Sequence, residues 1–270
     1  MQLPDNDMSD RPDLTTSVYR FLAPGRSPAQ PLPPDAVTHS IPLPTSPGWR
    51  DGPLVDLRVH QRGRGPAALL VHGWRGQSND LTPLADRLVA AGMTVWQPDL
   101  PAHGQSAGEH LSLPLAAAAL KAAQALAGPF TFAAAHSYGG AALVQALVAG
   151  LRVERVALLA PPTHYGHFAR RAAAQAGMPA EQATEWMKVL ARTIDADPDA
   201  FDMYRQAGQL KQRALLIHSQ DDPVVPYKAV EATAAAWPGA RWWPRDGLGH
   251  FRLLKDEETL RTLCEFATHG

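Results

Sequence analysis

Ser137 is the residue in this chain best placed to do chemistry. It ends an apolar run of small residues, Thr131-Phe132-Ala133-Ala134-Ala135-His136, and is followed by Tyr138-Gly139-Gly140 and a second apolar run from Ala141 to Leu147. That pattern reads as a buried strand, a tight turn and a helix, with the serine at the apex. A turn so cramped tolerates only small residues two positions to either side, and here they are Ala135 and Gly139. The G-x-S-x-G elbow thus takes the form A-x-S-x-G. Such a turn lifts the hydroxyl above the sheet and aims the first N–H groups of the helix at whatever bonds to it. The same turn is also compatible with phosphate binding or a purely structural role.

Other reactive residue types offer less. His164 and His167 are one helical turn apart, a spacing that suits a metal, but no third ligand stands near them in sequence, so no metal is expected. The single cysteine, Cys264, shares a helical face with Leu260, Leu263 and Ala267, which reads as core and excludes an internal disulfide. Gly63 and Gly65 lack the helix of a dinucleotide fingerprint, so no cofactor is implied.

Elements able to position a nucleophile are plain from Pro53 onward. Leu54 to His60 alternates like a strand with one exposed face, and Ala67 to Val71 is continuously apolar, as in a strand covered on both faces. A helix opened by Asp80 repeats Leu81, Leu84, Ala85 and Leu88, and a strand at Met93 to Asp99 follows. A helix over about Leu113 to Ala127 leads to the strand that delivers Ser137, and Val153 to Ala160 is the next strand. Strands and helices alternate in crossover units, the signature of a mostly parallel sheet. Residues 161–211 break the rhythm with three helical patterns, about His164–Ala176, Ala180–Thr193 and Pro198–Ala207. Alternation resumes with Ala214 to His218, a helix near Tyr227–Ala236, Arg241 to Trp243, and a last helix from about Leu253 to Thr268. An all-helical insert there is expected above the carboxyl ends of the strands, where open α/β sheets bind ligands.

Composition agrees with a folded α/β protein. The 270 residues are 45% hydrophobic and 19% charged, with formal net charge −1 and no long run of one sign. Neither a nucleic acid nor an anionic membrane surface is expected as a partner. No apolar run approaches the ~18 residues of a membrane span, and no basic segment followed by an apolar stretch opens the chain, so a cytoplasmic protein is expected. Residues 1–50 are dense in proline and weak in periodicity, which reads as an irregular arm that Val18 to Leu22 pins to the core. The expected organisation is therefore an arm at 1–50, core at 51–160, a small helical cap at 161–211, and core again at 212–270.

Taken together, residues 53–270 resemble an α/β-hydrolase, and in particular a group of uncharacterised bacterial hydrolases. The likeness rests on the elbow at Ser137, on Gln220-Asp221-Asp222-Pro223-Val224-Val225-Pro226, and on Gly247-Leu248-Gly249-His250-Phe251, in the family's order of nucleophile, acid and histidine. By that resemblance His250 is the base that takes the Ser137 proton and Asp222 the acid that orients it, with Asp221 a turn or cap residue. The oxyanion donors are then the backbone N–H groups of Tyr138 and Trp74, and His72 bonds loops beneath the site. Asp99 and Ser106 fall in a family loop that shapes the pocket without doing chemistry. His164, Tyr165 and Phe168 are placed to line the pocket, or else to pack the cap; Met178, Trp186 and Met187 read as core. The implied activity is cofactor-independent cleavage of a small-molecule carboxylic ester through an acyl-enzyme. A thioesterase, amidase or acyltransferase suits the same residues, and so does a slow-turnover ligand receptor. Ser137 argues against the family branches that carry aspartate at the elbow.

Overall fold

The continuously apolar runs become the middle of a sheet, and the alternating run Leu54 to His60 becomes a strand one place in from its edge. A computed structural model describes residues 13–28, 30–44 and 54–269, so part of the proline-rich segment, at 1–12 and 45–53, lies outside the described residues. Eight strands form one sheet among those residues: β1 (Val37–Pro44), β2 (Leu54–Arg62), β3 (Ala67–Val71), β4 (Thr94–Pro98), β5 (Phe130–His136), β6 (Val153–Leu159), β7 (Arg213–Ser219) and β8 (Ala240–Arg245). Their order is β1-β2-β4-β3-β5-β6-β7-β8. β1 and β2 run antiparallel to their neighbours, and from β4 through β8 every pairing is parallel. Parallel neighbours need crossovers, and α2 (Thr82–Ala90), α3 (Leu113–Ala127), α4 (Tyr138–Val148) and α8 (Tyr227–Ala236) supply four of them, while α9 (Glu257–His269) follows the last strand.

Alternate side chains of each strand feed separate cores on the two faces. Ala133 and Ala135 of β5 pack with α3, α4 and α8, whereas Phe132 and Ala134 pack with α2 and α9. Helix ends follow local chemistry. The Ser112 hydroxyl accepts from Leu115 N–H to start α3, a cap worth about 1 kcal/mol, and Gly128 at φ 82° ends it. Where the apolar period suggests one helix, caps split two of the expected elements. Asp256 accepts from the Thr259 N–H at 2.9 Å, so α9 starts at Glu257 behind a short 3₁₀ turn at Arg252–Leu254. Asp202 does the same for α7 (Met203–Ala207), separating it from the 3₁₀ turn Pro198–Ala200.

Between β6 and β7 lie α5 (Tyr165–Gln175), α6 (Ala180–Ile194) and α7, with no sheet strand among them. Trp186 is fully buried in the core, in line with its reading as packing, while Met178 and Met187 pack against its edge.

The N-terminal segment departs from its sequence reading. Instead of an irregular arm, the described part holds α1 (Leu14–Leu22) and β1, which pairs with β2 along its whole length. Asp13 caps α1 by accepting from Thr15 N–H, and Val18 and Leu22, one turn apart, are buried. Pro42 and Pro44 obscured the strand. They lie two apart on an edge strand, so both missing N–H groups fall on one side, and that side faces away from β2.

Candidate active site

β3, β5, β7 and β8 are mutually parallel, so their carboxyl ends share one edge of the sheet and the loops leaving them converge there. Ser137 follows β5 directly as the N-cap of α4, with φ 50° and ψ −125°, a conformation L-residues rarely adopt. Close packing makes it sustainable: a Cβ on Gly139 would run into the carbonyl oxygens of Val71 and His72, so only glycine lets α4 lie this close to β3. A Cβ on Gly73 would come within 3.1 Å of the Ser137 Cβ, so the loop after β3 passes right beside the hydroxyl.

His250, on the loop after β8, reaches both of its partners. Its Nε2 is 2.9 Å from Ser137 Oγ and its Nδ1 2.8 Å from Asp222 Oδ2. The Asp222 side chain is buried, and Oδ1 accepts from the Val224 and Val225 N–H groups at 2.7 and 3.0 Å. Burial alone would raise its pKa, yet the His250 bond and the two N–H groups prevail and hold the carboxyl below its ordinary range. An ionised Asp222 accepts a hydrogen bond from His250 Nδ1–H, which fixes the tautomer that leaves Nε2 unprotonated and free to accept the Ser137 hydroxyl proton. Asp221 points elsewhere. Its Oδ1 accepts from Gly249 N–H at 2.9 Å and from the Ser219 hydroxyl, whose oxygen accepts from Leu248 N–H at 3.1 Å. The two residues therefore pin the loop that carries His250.

Two buried histidines that sequence reading passed over also touch this centre. His136 donates from Nε2 to the His250 carbonyl at 2.9 Å; burial, and then the His250 charge, lower its pKa to about 4. His218 donates from Nε2 to the Val225 carbonyl at 3.0 Å, and the same nitrogen is 3.4 Å from Asp222 Oδ2. Their only sequence signal is adjacency, one preceding the serine and the other ending the strand before the acid turn.

Trp74 and Tyr138 present their N–H groups from the loop after β3 and from the first residue of α4, and among the described residues neither has a protein acceptor. Their rings pack at 5.1 Å. His72 is a brace: Nδ1 donates to Gly73 O at 2.8 Å and Nε2 accepts from Leu100 N–H at 3.0 Å. Asp99 accepts from the Ser78 and Gln105 N–H groups, each at 2.7 Å, and from His60. Despite burial these bonds bring its pKa down to about 2. Ser106 bonds Asp99 O and Arg58 N–H, so both residues fasten loops.

A cavity of about 810 Å³ opens over Ser137. His164, Tyr165 and Phe168 all line it, together with Phe21, Met203 and Val225. His164 also caps α5, its Nδ1 accepting from His167 N–H at 3.1 Å, and the two rings stack at 3.8 Å. That bond occupies one of the four ring nitrogens that the His164–His167 spacing offers to a metal.

A mostly parallel sheet that brings a serine, a histidine and an aspartate together from three separate strand-end loops defines the α/β-hydrolase architecture. The chain belongs to the alpha/beta hydrolase family, whose pattern residues 68–262 match. Similar solved structures include an esterase from Rhodococcus sp., at 18% identity and TM-score 0.65, covering 86% of this chain and 98% of that one. An esterase from Exiguobacterium antarcticum aligns at 16% identity and TM-score 0.62, over 81% and 97% of the respective chains. A meta-cleavage product hydrolase from Pseudomonas fluorescens aligns at 16% identity and TM-score 0.60, over 78% and 94%. These likenesses speak for the fold. No curated protein matches the sequence at a significant level.

Proposed function

We propose that the protein hydrolyses a small-molecule carboxylic ester through an acyl-enzyme. The observation that carries the reading is the unbroken chain Asp222–His250–Ser137, with bonds of 2.8 and 2.9 Å, ending beneath the cavity. His250 Nε2 takes the hydroxyl proton as Ser137 Oγ adds to the ester carbonyl, then passes it to the departing alkoxide. The Trp74 and Tyr138 N–H groups receive the oxyanion, and Asp222 stabilises the imidazolium. Water repeats the sequence to release the acid. The insert at 161–211 acts as a cap whose Tyr165 and Phe168 shape the pocket. Metal and cofactor have no part in this reading.

The test is labelling with a fluorophosphonate, followed by assay on esters, thioesters and amides. Wild-type protein is expected to be labelled at Ser137 and to turn over esters fastest. Ser137→Ala is expected to abolish labelling and lower turnover by about 10⁶-fold. A folded Ser137→Ala protein that keeps a few per cent of the activity sinks the assignment, and a preference for thioesters or amides reassigns the substrate on the same triad.

A further inference from the structure

The N-terminal helix belongs to the pocket. Val18 and Leu22 of α1 point into the core, but Phe21, turned about a quarter of the way round the helix from Leu22, is only half-buried and lines the cavity over Ser137. Its ring meets three aromatic rings of the helical insert: Trp186 at 5.1 Å, and Tyr165 and Phe168 at 6.2 Å each. α1 therefore closes the same space as α5, from a part of the chain more than 140 residues earlier by the numbering.

This wall is anchored on three sides. Against the insert, the Trp186 Nε1–H donates to Ser17 Oγ at 3.2 Å. Beneath the helix, Leu111 N–H donates to Leu22 O at 2.8 Å. Beyond it, the chain runs alongside the loop after β3, which carries Trp74. Arg75 donates from Nε to Pro24 O at 2.7 Å, Ser27 donates to Arg75 O at 3.0 Å, and Gln30 N–H donates to Gln77 Oε1 at 3.0 Å. Arg26 reaches across to the Ser106 and Gly108 carbonyls at 2.9 and 3.0 Å. A segment tied to both loops and to the insert is a fixed part of the site, and an aromatic ring held there limits what fits.

We propose that α1 forms a wall of the substrate pocket and that Phe21 sets how long or bulky an acyl group the pocket accepts. The proposal rests on the ester-hydrolase reading for the identity of the ligand, but not for the position of the wall. Phe21 faces apolar and aromatic neighbours, so the group it meets is the hydrocarbon part of the substrate. Removing the ring lengthens that end of the cavity, whereas a larger ring shortens it.

The experiment compares kcat/KM for p-nitrophenyl butyrate and decanoate in wild-type protein, Phe21→Ala and Phe21→Trp. A single methylene in an apolar pocket changes selectivity by roughly tenfold or more, so Phe21→Ala is expected to raise the decanoate-to-butyrate ratio about tenfold and Phe21→Trp to lower it. Melting temperatures identify any loss of folding, and a purely structural role would scale both substrates alike. Binding of butyrate and decanoate, followed by tryptophan fluorescence, reads the wall without turnover. If wild-type protein hydrolyses neither ester but Phe21→Ala still shifts the chain-length dependence of binding, the wall stands and the reaction assigned to it falls. Ratios within about twofold of wild type in both folded variants, in turnover and in binding, overturn the proposal.

Discussion

Adjacent carboxylates with different tasks make the sharpest residue-scale comparison. Asp222 gives Oδ2 to His250 and Oδ1 to two backbone N–H groups, while Asp221 gives its oxygen to Gly249 N–H and the Ser219 hydroxyl. Asp222→Asn keeps the shape but removes the charge and admits the wrong imidazole tautomer, so turnover is expected to drop by about 10⁴-fold. Asp221→Asn loosens the His250 loop without touching the ring, and a loss of at most about tenfold is expected. Steady-state rates of the two folded variants decide between them; the reverse ranking would move the acid to Asp221. In sequence, the resemblance of Gln220 to Pro226 to the family's acid turn is what selects Asp222. Asp221 reads as a turn or cap residue and does lie in a turn, but its second role, accepting an N–H 28 positions away on another loop, is visible only in the fold. His136 and His218 were passed over for a related reason, since what each braces is settled by three-dimensional contact.

At the scale of elements, the turn that holds Ser137 exposes what a motif encodes. Its glycine is needed for close approach: Gly139 sits where a side chain would collide with the backbone carbonyls of Val71 and His72. Gly139→Ala forces α4 away from β3, and overpacking of this kind costs about 1–3 kcal/mol. Because the displaced helix start carries the Tyr138 N–H, turnover is expected to fall further than stability alone implies. Urea denaturation and kcat measured on the same preparation check this, and an alanine variant with wild-type stability and rate would show that the approach is not tight. The elbow, the helix before it and the buried strands were legible because each is a local pattern of small or apolar residues. α1 and β1 were not. An edge strand tolerates proline, and a nine-residue helix with two buried positions is held by neighbours far along the chain rather than by its own periodicity.

For the whole molecule, the converging loops leave several histidines buried without charge, and this governs how stability responds to acid. Burial lowers the pKa of His72, His103, His136 and His218, and brings His103 and His136 to about 4. In the unfolded chain a histidine titrates near ~6.5. Between about 4 and 6.5 the unfolded chain therefore holds protons that the folded one refuses, and acid favours unfolding. The contribution of His103 and His136 is complete above about 6.5 and is lost as pH falls toward 4, at about 1.4 kcal/mol per pH unit for each while it is fully protonated only when unfolded, and the lowered His72 and His218 act in the same direction. Asp99 acts lower down. Its folded pKa of about 2 lies below the ordinary carboxylate value, so its contribution persists through this window and disappears only as pH falls on toward 2. Urea midpoints at pH 8, 7, 6 and 5 are expected to be level at the first two and to decline over the last two. His103 offers the internal control, because it bonds Pro101 O through Nδ1 and accepts Arg75 N–H at Nε2, holding one loop of the site without lining the cavity over Ser137. His103→Gln replaces it with a group that never titrates, so the decline below pH 6.5 is expected to become shallower even if the variant is less stable at pH 8. Equal midpoints from pH 8 to 5 in the wild-type protein, or an unchanged slope in His103→Gln, would show that these histidines do not set its acid sensitivity.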